Sequence, residues 1–72
     1  MQPGHIGAPT PGVITAVVVD SNQNVQKGDR LLVLEAMKMQ STVYASISGK
    51  ISKLLVHLGQ AVEAKELLLV IE

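Results

Sequence analysis

Lys38 stands between Met37 and Met39, and its primary amine is a group that could accept a covalent load. A solvated lysine is cationic at neutral pH and therefore a poor unaided catalyst. Acylated by a separate enzyme, the same amine loses its charge and becomes an anchor. Taken singly, a lysine on a turn is a solvated charge, and methionines are more often core filler than recognition elements. Two methionines flanking one lysine, in a chain with only one other methionine, are less ordinary. Other chemistry finds little support. His5 and His57 have no partner at metal-ligand spacing and no cysteine beside them, so both read as surface histidines with no metal. The glycines at 4, 7, 12, 28, 49 and 59 do not form a phosphate-cradling loop followed by Lys-Ser or Lys-Thr. No serine and histidine pair and no carboxylate pair can be argued, so catalysis is expected elsewhere.

A lysine that accepts a load must be held out from a rigid scaffold. The 72 residues allow one domain at most, and such a small domain buries only about 60% of the surface its unfolded chain exposes. Val, Ile and Leu make up a third of the chain, while Phe, Trp and Cys are absent and Tyr44 is the single aromatic. The core must therefore come from aliphatic packing, much of it β-branched, which favours strands. The lack of cysteine removes disulfides and thiol chemistry and fits a reducing compartment. Six basic residues balance six acidic ones, so neither nucleic acid nor a membrane surface is an expected partner. The longest apolar runs are four or five residues, far short of the ~20 that span a bilayer, and no signal-peptide pattern opens the chain. Met1-Gln2-Pro3-Gly4 reads as a flexible segment, with the domain over 5–72, and the whole looks like a piece of a longer protein.

The scaffold is written twice. Shifting the sequence by 37 places lays Ile6 to Glu35 over Val43 to Glu72, with ten of 30 pairs identical. They include Ala8 with Ala45, Gly12 with Gly49, Ile14 with Ile51, Gln23 with Gln60, Leu31 with Leu68 and Leu32 with Leu69. Each copy reads as a glycine turn at Gly12 or Gly49, a strand of about six residues, a polar turn, then Val25 or Val62 and a last apolar strand. Asn22 falls opposite Gly59, and both types tolerate the left-handed backbone of tight turns. Gly28-Asp29 predicts a further turn, with Lys65-Glu66 opposite it. Two halves of short strands predict an all-β, pseudo-twofold flattened barrel or sandwich in which neither half buries its apolar face alone.

One segment argues against this pattern. Leu31 to Gln40 is built almost wholly from good helix formers. Yet Leu31 to Leu34 is apolar without a 3.6-residue period, and its repeat partner around Leu67 to Ile71 behaves the same way. The reading is therefore strand, turn, strand: Leu31 to Glu35 as one arm, Ala36-Met37-Lys38-Met39 as the tip, Gln40 to Tyr44 as the returning arm. That tip lies at the join of the two repeats and has no counterpart, which marks it as the place for function.

Glu35-Ala36-Met37-Lys38-Met39 resembles the biotinylation motif of biotin carboxyl carrier domains, the biotinyl/lipoyl attachment family. The resemblance covers nearly the whole chain, through Gly7-Ala8-Pro9-Thr10-Pro11-Gly12, Val25-Gln26-Lys27-Gly28-Asp29, Ser48-Gly49-Lys50-Ile51 and Val62-Glu63-Ala64. It is greatest for the carrier at the C-terminal end of pyruvate carboxylases. The family departs here at Asn22, where a glycine is common, and at Lys65-Glu66 in place of Gly-Asp. No segment is inserted between the first strands, so the protruding thumb of some carriers is expected to be missing.

The resemblance implies biotin bound covalently to Lys38, with Met37 and Met39 read by a biotin protein ligase and by the carboxylase sites. Ala36 would keep access open, and Glu35 would serve recognition or solubility. The domain would be a non-catalytic carrier of a biotin-dependent carboxylase, shuttling a carboxyl group between biotin carboxylase and carboxyltransferase sites. Tethering would raise the local concentration of its load to the order of millimolar. The resemblance further implies a monomeric domain in the cytoplasm, or in the mitochondrial matrix for a eukaryotic parent. A lipoyl carrier of a 2-oxo acid dehydrogenase complex shares the fold but has Asp before the lysine and Ala after it. An unmodified β interaction domain is the remaining alternative.

Overall fold

The computed structural model describes residues 4–72 and contains eight strands and no helix. They are β1 (His5–Gly7), β2 (Gly12–Val17), β3 (Asn24–Val25), β4 (Arg30–Ala36), β5 (Met39–Tyr44), β6 (Gly49–Leu54), β7 (Ala61–Val62) and β8 (Leu67–Ile71). Two antiparallel four-stranded sheets run in the orders β1-β8-β6-β3 and β5-β4-β2-β7. The expected all-β architecture is thus present, and β4, a two-residue turn and β5 occupy the segment whose residues favour helix. Burial overrides propensity there, because Leu31, Leu32 and Leu34 are fully enclosed between the sheets. Of the flexible segment expected over 1–4, residues 1–3 lie outside the described residues. Gly4 is buried, and its carbonyl accepts the Ile71 N–H at 2.7 Å.

The 37-residue shift maps one sheet onto the other. It takes β2 to β6, β3 to β7 and β4 to β8, and it carries individual hydrogen bonds with it. The Thr15 hydroxyl donates to the Val33 carbonyl and the Ser52 hydroxyl to the Val70 carbonyl, both at 3.3 Å. The Gln23 Oε1 accepts the Asp20 N–H at 3.0 Å, and the Gln60 Oε1 accepts the His57 N–H at 3.2 Å. Each of β2 and β6 carries an irregularity in its pairing, between Ile14 and Ala16 and between Ile51 and Lys53. In each sheet the two central strands come from one repeat; β1 and β3 of the first repeat edge the second repeat's sheet, while β7 and the longer β5, which runs from the join into the second repeat, edge the other. The halves therefore interlock, and the buried set draws evenly on both: Ile14 with Ile51, Leu31 with Leu68, Leu32 with Leu69. No polar or charged residue is buried among the described residues, so the core between the sheets is held by apolar packing.

Gly12 and Gly49 do not form turns, as their residue type suggested. They open β2 and β6, at points where a Cβ would lie 2.5 Å from the Glu35 carbonyl oxygen and 2.6 Å from that of Glu72. Close approach of two backbones, rather than backbone freedom, selects glycine here. The polar turns behave as expected. Asn22 (φ 69°) and Gly59 (φ 87°) are both left-handed, as are Gly28 (φ 92°) and Lys65 (φ 67°). The two departures from the family pattern therefore leave the turn geometry unchanged.

Candidate functional site

β4 and β5 form the longest antiparallel pairing, in continuous register from Leu32 opposite Val43 to Ala36 opposite Met39, with an irregularity between Arg30 and Leu32. The connection consists of Met37 and Lys38 alone, with φ values of 51° and 67°. Positive φ at both central residues of a two-residue loop is the pattern of a type I′ turn, whose twist matches that of the strands it joins. Asn-Gly is the usual solution. A bulkier residue held left-handed costs roughly 1–2 kcal/mol. Such strain persists only where the surrounding structure enforces it, and it concentrates at functional positions. Here the well-paired ribbon supplies the enforcement.

The side chains at this turn are open to solvent. Met37 is 95% and Met39 72% exposed, and Glu35 and Lys38 are also exposed, while Ala36 is half-buried. Neither methionine fills a gap in the core. Among the described residues no pocket forms. A primary amine that projects from a rigid ribbon into open solvent, without a pocket beside it, can be reached by a second macromolecule's active site and can carry what is attached there. All five residues singled out from the sequence are brought to this one hairpin end. Of the two histidines, His5 lies in β1 and His57 is exposed in the loop after β6. Among the described residues no three His, Cys, Asp or Glu side chains gather as a metal would require.

Sequence reasoning missed the left-handed backbone at Met37 and Lys38, since neither residue type signals it. The sequence placed the tip over four residues, Ala36 to Met39, whereas Ala36 and Met39 pair as the last rung of the hairpin; the two-residue loop, which favours a primed turn, is visible only once that rung is known.

Comparisons with known proteins agree with this geometry. The family described as "Biotin-requiring enzyme" matches residues 4–71. Pyruvate carboxylase of Bacillus subtilis is 43% identical over 71 residues, which is 99% of this chain and 6% of that protein. The alpha subunit of mitochondrial methylcrotonoyl-CoA carboxylase from Dictyostelium discoideum is 41% identical over 68 residues, 94% of this chain and 10% of that protein. The crystal structure of Kluyveromyces lactis urea carboxylase superposes with a TM-score of 0.87 at 34% identity, covering 94% of this chain and 6% of that one. The chain thus spans a small fraction of each relative. With a matching family over nearly its full length and the lysine turn at the expected place, the chain belongs to the biotin-requiring enzyme family, as a biotin carboxyl carrier domain like that of pyruvate carboxylase.

Proposed function

We propose that Lys38 Nζ is the biotin attachment point and that the domain carries a carboxyl group between the biotin carboxylase and carboxyltransferase sites of a larger biotin-dependent carboxylase. The observation that carries this reading is the position of Lys38: exposed, at the second central residue of a strained two-residue turn, at the end of a rigid ribbon. A biotin protein ligase would deliver biotin, its carboxyl activated at the expense of ATP, to the amine: the amide C–N bond forms, the bond from the acyl carbon to the activating group breaks and that group leaves, and the amine gives up its proton. When bound, biotin supplies the ureido ring that takes up and releases the carboxyl group. The chain's own residues supply position. The β4 and β5 backbones fix the origin of the arm, the turn aims it outward, and the open surroundings let two successive active sites close over the load. Tethering raises the load's effective concentration at each site to the order of millimolar.

The fit to biotin rests on the residues present. An accessible acceptor amine is available, methionines stand on either side, and neither the Asp nor the Ala of a lipoyl tip occurs next to Lys38. The test is intact mass after incubation with biotin, ATP and a biotin protein ligase, followed by peptide mapping. The expected outcome is a gain of one biotin less one water, mapped to Lys38. A gain mapped to another lysine, or none with the fold verified, would overturn the reading.

A further inference from the structure

All the sulfur in the described residues sits on the two side chains that flank Lys38. The chain has no cysteine, and the third methionine, Met1, lies outside the described residues. Met37 and Met39 are also the two most exposed of the large hydrophobic side chains, at 95% and 72%. Leucine or isoleucine would provide comparable apolar area, and the protein uses those residues throughout its core. The second lysine with a left-handed backbone, Lys65, lies at a turn with the same φ of 67°. Its neighbours are Ala64 and Glu66, without sulfur. Among the described residues, thioether side chains are thus confined to the one turn that the duplication does not repeat.

We infer that Met37 and Met39 form a reversible oxidation site that switches off loading of Lys38. This rests on the attachment reading given above. The oxidant is a hydroperoxide such as hydrogen peroxide. A thioether sulfur attacks one peroxide oxygen, the O–O bond breaks, a sulfoxide forms, and the departing hydroxide takes a proton to leave as water. Sulfur loses two electrons and the peroxide gains them. The product is a polar, chiral side chain in place of a flexible apolar one. Because neither methionine packs in the core, oxidation leaves the sheets untouched. What changes is the surface that a ligase must contact on both sides of the amine. A methionine sulfoxide reductase supplied with a dithiol returns the thioether, the sulfoxide oxygen leaving as water while the two thiols are oxidised to a disulfide, and loading is restored.

The experiment treats the unmodified chain with hydrogen peroxide, maps sulfoxide by mass spectrometry, records the melting curve, and then measures the initial rate of biotinylation by a biotin protein ligase. Expected are sulfoxide at Met37 and Met39, an unchanged melting temperature and a rate lowered about tenfold, equivalent to about 1.4 kcal/mol of lost transition-state contact. Treatment with methionine sulfoxide reductases should return the original rate, and the double variant Met37→Leu, Met39→Leu should be labelled at a rate that peroxide does not alter. Equal rates before and after oxidation would overturn the inference while leaving the attachment reading intact. So would a rate loss that persists in the leucine variant. No labelling of the untreated chain at Lys38 would overturn both.

Discussion

At the scale of single residues, two lysines share one backbone conformation for different reasons. Lys38 is left-handed because a two-residue hairpin requires it; Lys65 is left-handed because its register mate Gly28 is, in the equivalent turn of the other half. Replacing Lys38 by arginine keeps a long, solvated cation at the tip, so Lys38→Arg is expected to melt at the parent temperature and to take up no biotin, checked by circular dichroism and intact mass. Lys65 sits in a turn outside any hairpin ribbon, its N–H donating to the Ala8 carbonyl at 2.8 Å. Lys65→Gly is expected to stabilise the fold by about 0.5–1 kcal/mol, since the relief of left-handed strain exceeds the added freedom of the unfolded chain. The reciprocal Gly28→Ala should cost about 1 kcal/mol; nothing lies within 4 Å of the added Cβ, so that loss reports backbone strain alone. A shift of 1 kcal/mol moves the melting temperature of a domain this size by about 4–8 °C, well within thermal-melt resolution. The left-handed turns at Asn22 and Gly59 were legible from residue type. Lys65 was legible only through its alignment with Gly28, because lysine has no preference for that conformation.

At the scale of elements, the hairpin that presents the tip is braced close to that tip by the passage of β2. Gly12 opens that strand where a Cβ would come within 2.5 Å of the Glu35 carbonyl oxygen and 3.0 Å of Leu34 Cδ1. Gly12→Ala must therefore push β4 aside three residues before Lys38. It is expected to destabilise by about 1–3 kcal/mol, the range for overpacking, and to slow ligase labelling beyond what partial unfolding explains. Gly49→Ala meets the same crowding, 2.6 Å from the Glu72 carbonyl oxygen, at the equivalent place in the other half. It should lose similar stability but label normally, and comparing the two variants separates damage to the tip from damage to the fold. These two glycines were legible as special positions but not as what they are. Glycine signals both turns and close approaches, and the pairing partner that distinguishes them is distant in sequence. The segment from Leu31 to Gln40 shows the opposite case. Its local propensity pointed to helix, and only the apolar run shared with Leu67 to Ile71 pointed to the strand that forms.

At the scale of the whole molecule, the duplication was readable as a repeat, and the two sheets as its consequence; the exchange of edge strands between halves was not, because it depends on which strands meet rather than on what each contains. That exchange makes the core a single cooperative unit. Leu31 and Leu68 are equivalent and both fully buried, so Leu31→Ala and Leu68→Ala should each cost about 2–5 kcal/mol. In denaturant unfolding each variant should show one transition, with the two midpoints lowered by similar amounts; a second transition in either would mean that the halves melt separately. A mechanical consequence follows from the pairing of β1 with β8. These strands are antiparallel, and Gly4 and Ile71 are bonded to each other at the same end of the pair. A pull applied through both of these points therefore does not shear the ladder. It peels β1 from β8 bond by bond, with the force borne at any moment by one rung, while the β4 and β5 ribbon that ends in Lys38 carries no tension until those two strands have parted.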